Sequence, residues 1–365
     1  MTLYMPPEWA PHDRTWMAWP GPNPTFATPE DLDAARRAWA AVARAVRRFE
    51  PVTMVCGPGQ AASARALLGP DVELAERELD DAWMRDIGPT FVRDTATGGL
   101  AAVDWVFNGW GAQEWARWEH DAKIARHVAD LAGAPVHSTP LVNEGGGIHV
   151  DGEGTVLLTE TVQLGPERNP GWTRERVEAE IHAHLGTTKA IWLPRGLTAD
   201  YPGHGFGTLG HVDIVAAFAA PGVVLVHAQQ DPAHPDHEVS KEVAGLLRGQ
   251  KDARGRALQV VEVPAPTVLA DDDGWLDHSY INHYLCNGGV VLCAFDDPRD
   301  EIAAGIFRRL FPRRTVTLVD ARTIFAGGGG IHCVTQQQPR IQEVGWPVRA
   351  GTRPRAKTSS PRPWR

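Results

Sequence analysis

With 365 residues the chain exceeds the usual size of one domain, although single closed architectures of this length are common. Its 43% hydrophobic and 22% charged residues are ordinary globular values, which set aside global disorder and a membrane protein. A net charge of -9 argues against a nucleic-acid partner, which needs clustered Lys and Arg, and suits a small cation.

No stretch approaches the roughly 20 uninterrupted apolar residues that span a bilayer, so no membrane partner is expected. The opening MTLYMPPEWAPHDRTW has neither a basic start nor an apolar run, and a cytoplasmic location is the default expectation. Cys56, Cys286, Cys293 and Cys333 form no CxxC pair, so each is judged as a free thiol, with no cysteine metal site. A homo-oligomer is left open.

In chain order, Thr28-Pro29-Glu30 supplies an N-cap, a proline at the first helical position and an early acid. Leu32, Ala35, Trp39, Val42, Val46 and Phe49 follow on one helical face. The run Pro51 to Cys56 reads as a strand. Further helices are expected near Trp118 to Ala132, Thr173 to Leu185, His237 to Leu247 and Pro298 to Leu310. Strands are expected at Ala190 to Leu193, Leu258 to Val263 and Thr315 to Val319. Between them lie paired apolar runs joined by glycine-bearing turns: Ile148 to Val150, DGEG, TVLLTE; HVDIVAAF, AAPG, VVLVHA; and SYINHYL, CNGG, VVLCAF.

Each unit therefore reads strand, turn, strand, helix, strand, and about five units of roughly 60 residues fit. TWMAWP near the start and GGGGIHCVTQQQ near the end each lack a partner, so the ends are expected to pair and close a ring. The alternative is an open α/β sheet. Residues 1–348 read as one domain, and 349–365 as a basic, Pro- and Ser-rich disordered tail.

Polar residues recur at matching places in these units: Asp86 in WMRDIGPTFV, Glu144 in NEGGGIHV, His211 and Asp213 in GHVDIV, and Cys333 in GGGGIHCV. In a ring they would converge on one central cavity. His211 and Asp213, two apart in an expected strand, would share a face, whereas His332 points away from its neighbour Cys333. A thiol, an imidazole and several carboxylates without a metal suit a guanidinium, a planar cation matched by carboxylates. Asp86 and Asp213 would clamp it over Cys333. His211 would be acid and base, held by Glu144. The plainer readings are a surface ion pair for Arg85 with Asp86, a turn-capping Glu144 and a satisfied core His211. For Cys56, Cys286 and Cys293 an inert core is the expectation, and for His227, His234 and His237 a solvated loop leading into a helix.

PPEWAPHDRTWMAWP, WMRDIGPTF, FNGWG, EGGGIHVDGEGTVLLTE, GHVDIV, SYINHY and GGGGIHCVTQQQP, in this order, resemble the agmatine deiminases of the guanidino-group modifying superfamily. The resemblance implies a five-bladed α/β propeller (pentein) of ββαβ units, no cofactor, and conversion of agmatine to N-carbamoylputrescine and ammonia, in putrescine formation or agmatine breakdown. It carries over Cys333 as the amidino-cysteine nucleophile, His211 as acid and base, Glu144 as its partner and Asp86 and Asp213 as guanidinium ligands. Trp83, Trp110 and Gly330 are the further substrate-binding candidates. Gly147, Leu209 and Ile214 depart from the family pattern beside these motifs. A related guanidine hydrolase, an amidinotransferase and a non-catalytic polyamine-binding protein are the alternatives.

Overall fold

In the computed structural model, residues 3–204, 206–271 and 274–341 are described, and the tail expected at 349–365 lies outside them. Helix Pro29–Arg47 begins as its sequence dictates: Thr28 accepts from the Asp31 N–H while the Asp31 carboxylate accepts from Thr28, a reciprocal capping box. Its buried face, including Ala35, Trp39, Val42 and Val46, covers strand Val52–Cys56.

Four ββαβ units follow one pattern, in which an antiparallel pair is joined through a helix to a strand parallel to the second. Strand Thr90–Asp94 pairs with Leu100–Val106, and helix Ile124–Ala132 leads to Val136–Val142. His149–Val150, Thr155–Thr159, helix Arg174–Leu185 and Lys189–Leu193 repeat the pattern. So do Ala216–Ala220, Val223–Ala228, helix Asp236–Arg248 and Gln259–Pro264. The fourth unit is Tyr284–Cys286, Gly289–Ala294, helix Asp300–Leu310 and Thr315–Asp320. A fifth sheet draws on both chain ends: Gln336–Pro339 runs antiparallel to His12–Ala18, which is parallel to Val52–Cys56. The two unpartnered runs of the sequence thus meet, Gln336 opposite Trp16.

The apolar faces of these sheets and their helices form the core, with Trp16, Trp19, Trp39, Tyr280 and Tyr284 fully buried. Among the described residues no helix is long and apolar enough to cross a membrane.

Several expected boundaries are corrected. The segment HVDIVAAF is not one strand: Val212–Ile214 is a 3-10 turn and the strand starts at Ala216. The cause is local, because the backbone N–H groups of Gly210 and His211 donate to the buried Asp200 carboxylate, at 2.6 and 3.2 Å, and are withdrawn from any ladder. Trp118 to Ala132 is helical only from Asp121, first as a 3-10 turn. His227 and His234 are buried and not in a solvated loop; their ring Nδ1 atoms bond to the Ser279 hydroxyl and the Asp236 N–H.

Candidate active site

Each unit places a polar side chain in the turn just before its first strand, where the backbone can bend out of the ladder. Asp86 lies in the one-turn helix Met84–Ile87 before Thr90–Asp94, and Glu144 precedes the 3-10 turn Gly145–Gly147 before His149–Val150. His211 and Asp213 precede Ala216–Ala220, and Cys333 precedes Gln336–Pro339. All five are buried. Gly146 permits their approach: a Cβ there would fall 2.5 Å from His211 Nδ1 and 3.0 Å from Asp86 Oδ1.

The structure brings the five together. Cys333 Sγ is 3.7 Å from Asp213 Oδ2. His211 Nε2 bonds to Glu144 Oε2 at 3.2 Å, while Nδ1 lies 3.9 Å from Asp86 Oδ1. Among the described residues, two buried atoms of these five side chains have no hydrogen-bond partner, His211 Nδ1 and Asp213 Oδ1. A buried polar atom left unpaired is costly, so such atoms mark where a ligand completes the network.

Charges within the cluster are strongly coupled. Burial disfavours charge on His211, yet Asp86, Glu144 and Asp213 outweigh it and hold the imidazolium up to about 9. Burial drives the Cys333 thiol well above the ordinary range, and Asp213 and Asp86 drive it further. Asp86 is likewise pushed up, chiefly by burial. Asp213 and Glu144 resist burial and stay low, the first beside His332 and His211, the second beside Arg168 and His211.

Supporting residues that the motifs did not reveal come from remote segments. Arg168 Nε reaches both oxygens of Glu144, at 3.0 and 3.1 Å, and its Nη2 donates to the Thr208 carbonyl. His332, adjacent to the thiol but not bonded to it, spans two carboxylates: Nδ1 to Asp213 Oδ2 at 2.6 Å and Nε2 to Glu8 Oε2 at 2.9 Å. Burial and Arg85 oppose its charge, but Glu8 and Asp213 raise its pKa. Glu8 belongs to the PPEW run and also accepts the Leu285 N–H. Asn282 touches the sulfur, with Nδ2 3.2 Å from Sγ. Arg85 forms no surface pair with Asp86; it is buried and donates to Gln336, Gln337 and the His332 carbonyl.

Glu8, His149 and His332 are close enough together to be weighed as a metal triad. The imidazole of His149 accepts the Phe218 N–H at Nδ1, so its proton sits on Nε2 and that nitrogen offers no lone pair. The donor set fits a hydrogen-bonded cluster and not an ion.

Above Cys333 and Asp86 lies a cavity of about 10 Å³ lined by Trp83, Trp110, Trp115, Phe206, Thr208 and glycine backbone. Trp110 Nε1 donates to Asp86 Oδ2 at 2.9 Å and its ring stacks on Trp115, which meets Phe206 edge-on. Its reach requires an unusual backbone. Gly109, Trp110, Gly111 and Ala112 wind one left-handed turn, with φ of 70°, 56°, 91° and 54°. The two side-chain-bearing residues each strain it by about 1–2 kcal/mol. Gly330 is not part of the lining, which uses Gly327 and Gly328; a Cβ on Gly330 would strike Asn282 Oδ1 at 2.5 Å. Gly147, Leu209 and Ile214 also stand outside the lining.

The sequence profile of the Porphyromonas-type peptidyl-arginine deiminases matches residues 4–339, and the chain belongs to this family. A Streptomyces avermitilis protein, provisionally named an agmatine deiminase, is 79% identical over 336 residues, covering 92% of this chain and 97% of its own. The agmatine deiminase of Stutzerimonas stutzeri is 41% identical over 359 residues, covering 92% and 95%. The solved agmatine deiminase of Enterococcus faecalis superposes with a TM-score of 0.88 at 31% identity, covering 93% and 97%, and shares the mixed α/β fold.

Proposed function

We propose that this chain is an agmatine deiminase, a hydrolase of the carbon–nitrogen bond of a linear amidine that releases N-carbamoylputrescine and ammonia. The observation that carries the reading is the pair of unpartnered buried atoms, Asp213 Oδ1 and His211 Nδ1, beside the Cys333 thiol. An acceptor and an acid flanking a nucleophile are what a guanidinium needs. Relatives named for that activity support it, provisionally at 79% identity and outright at 41% and 31%. The five sheets are taken as blades of a closed five-bladed propeller. Cytoplasmic residence and a place in putrescine formation or agmatine breakdown belong to the same proposal.

Asp86 and Asp213 clamp the cation, with the central carbon over Sγ. The empty site holds two carboxylates that keep the thiol protonated, and the arriving cation neutralises them, so the thiol proton leaves to solvent. The thiolate adds to the central carbon and gives a neutral tetrahedral adduct. His211, charged and with Nε2 tied to Glu144, gives its Nδ1 proton to one nitrogen, the carbon–nitrogen bond breaks, and ammonia leaves a cationic thiouronium on Cys333. The neutral imidazole then takes a proton from water as hydroxide adds to the carbon. The adduct collapses to the urea carbonyl as its carbon–sulfur bond breaks, the hydroxyl proton passes to the departing sulfur, and the Cys333 thiol and the charged His211 are restored. Glu144, fixed by Arg168, sets the ring; His332 and Glu8 hold Asp213 ionised with Oδ2 occupied and Oδ1 free.

The roof chooses the tail. No Lys or Arg lines the cavity among the described residues, while Trp83, Trp110, Trp115 and Phe206 offer ring faces. Such walls attract an ammonium and leave the α-carboxylate of arginine unpaired. A volume of about 10 Å³ holds at most one water, so the rings over Cys333 part to admit substrate. The test is a panel of agmatine, arginine and methylated arginines, with and without acceptor amines and with products identified. Agmatine is expected to be turned over to ammonia and the urea product, with kcat/KM at least about a hundredfold above arginine. Comparable values for the two would remove the agmatine assignment.

A further inference from the structure

Asn282 stands just before strand Tyr284–Cys286, at the place in its unit that Asp86, Glu144, His211 and Cys333 occupy in theirs. It is fully buried. Its Oδ1 accepts the backbone N–H of His332 at 2.9 Å and faces that of Cys333 at 3.4 Å. An amide nitrogen cannot accept, so two N–H donors on one atom identify it as the oxygen and fix which way the carboxamide faces. The other atom is therefore the NH2 group, 3.2 Å from Cys333 Sγ and 3.5 Å from the Asp213 carbonyl.

The groups facing the sulfur are otherwise hostile to a thiolate. Asp213 and Asp86 oppose its negative charge, while the Gly330 backbone and Asn282 donate to it. While the sulfur is protonated, its hydrogen can point to Asp213 Oδ2 or to Asn282 Oδ1, at 3.7 and 3.6 Å. Once ionised it becomes a pure acceptor, and the Nδ2 contact turns into a charge-assisted hydrogen bond. The contact therefore stabilises the ionised sulfur over the neutral one, which is the difference that catalysis uses.

We propose that Asn282 is a catalytic residue whose Nδ2–H binds the Cys333 thiolate both when it attacks the guanidinium carbon and when it departs from the collapsing adduct. The inference rests on Cys333 being the nucleophile. Asn282 also orders the Cys333 backbone through Oδ1, and two variants separate the roles: Asn282→Asp keeps the acceptor while replacing the donor at sulfur by a charged oxygen, and Asn282→Ser, too short to reach the sulfur, loses the donor without adding a charge.

Asn282→Asp is expected to lower kcat by at least about a hundredfold, the usual cost of losing one preorganised donor. Agmatine binding in a Cys333→Ala background should not weaken. Alkylation of Cys333 by iodoacetamide, followed against pH, should shift to higher pH than in the wild type. Retention of more than about a tenth of wild-type kcat, or an unshifted alkylation profile, overturns the proposal. Asn282→Ser should meet the same two criteria, which distinguishes loss of the donor from the charge that Asn282→Asp adds, and it carries the test alone if Asn282→Asp does not fold. Absence of any substrate adduct on Cys333 in the wild type would instead strike the nucleophile assignment itself, so the two failures are distinguishable.

Discussion

The charged floor and the aromatic roof of the site are built by opposite means. Floor atoms are pinned by hydrogen bonds from several units, as when Asp200 holds the backbone of Thr208, Gly210 and His211, and Arg168 grips Glu144 through both oxygens. Roof residues hang on turns, with Trp110 at φ of 56° and contacts that are ring on ring. A floor that must keep charges within a few tenths of an ångström is preorganised. A roof that must open and discriminate is held by soft packing, with strain that a second conformation can release. The floor should therefore govern kcat and the roof KM and selectivity.

The largest expected effect is on the floor. Cys333→Ser should leave less than about 1% of activity with the fold intact, because a serine hydroxyl lacks thiolate nucleophilicity. Steady-state kinetics and thermal unfolding check both halves, and substantial residual turnover would remove Cys333 as nucleophile. Asp86→Asn and Asp213→Asn should each lower kcat/KM by at least about a hundredfold, since each leaves the bound cation short of a counter-charge. Near-normal kinetics in either would take that carboxylate out of the clamp.

The same division can be sharpened by pH. The proton proposed to pass from His211 to ammonia must still be on the ring once the Cys333 thiolate has formed, so kcat should fall as pH rises through the His211 pKa, which is about 9 in the free enzyme. The groups setting it are Asp86, Glu144 and Asp213, and Glu144→Gln should move the fall to lower pH. A roof variant should leave the alkaline limb in place. Trp115→Ala should raise KM for agmatine about tenfold with kcat nearly kept, and narrow the preference over arginine, as loss of one cation–ring contact predicts. A fall in kcat alone would assign Trp115 to the floor.

The smallest effect concerns the turn itself. Ala112 is exposed at φ 54°, and Ala112→Gly removes the Cβ clash at the cost of a looser unfolded chain. The net stabilisation should be no more than about 1 kcal/mol, visible as a small rise in Tm without a change in kcat. A marked loss of stability would mean that the turn is not strained.

The floor was the more legible half of the site, for a physical reason. Asp86, Glu144, His211, Asp213 and Cys333 recur at one place in successive units, so a repeat supplies their proximity even though the sequence separates them. The same register would have exposed Asn282, in the unit left without a polar member, because SYINHYL holds it at the corresponding turn. Helix Pro29–Arg47, with its cap and proline, and the pairing of the two chain ends were readable from local chemistry and from what each end lacked. The strand expected at HVDIVAAF failed because the Asp200 carboxylate, just upstream of the segment, takes N–H groups at its start that a ladder would need. Glu8, Arg168 and His332 act across units through side chains whose spacing has no period. Gly330 sits in the correct glycine run, but its neighbour is Asn282 and not the cavity. The departures at Gly147, Leu209 and Ile214 likewise stand clear of the lining, so the tail preference rests on the rings.

The central claim is a covalent amidino intermediate on Cys333 formed from agmatine, and rapid-quench mass spectrometry during turnover tests it most directly. The protein should gain the mass of agmatine less ammonia, on the peptide that contains Cys333, and lose it as substrate is exhausted. Steady agmatine turnover with Cys333 unmodified at every time point, or the added mass on Cys286 or Cys293, would contradict it.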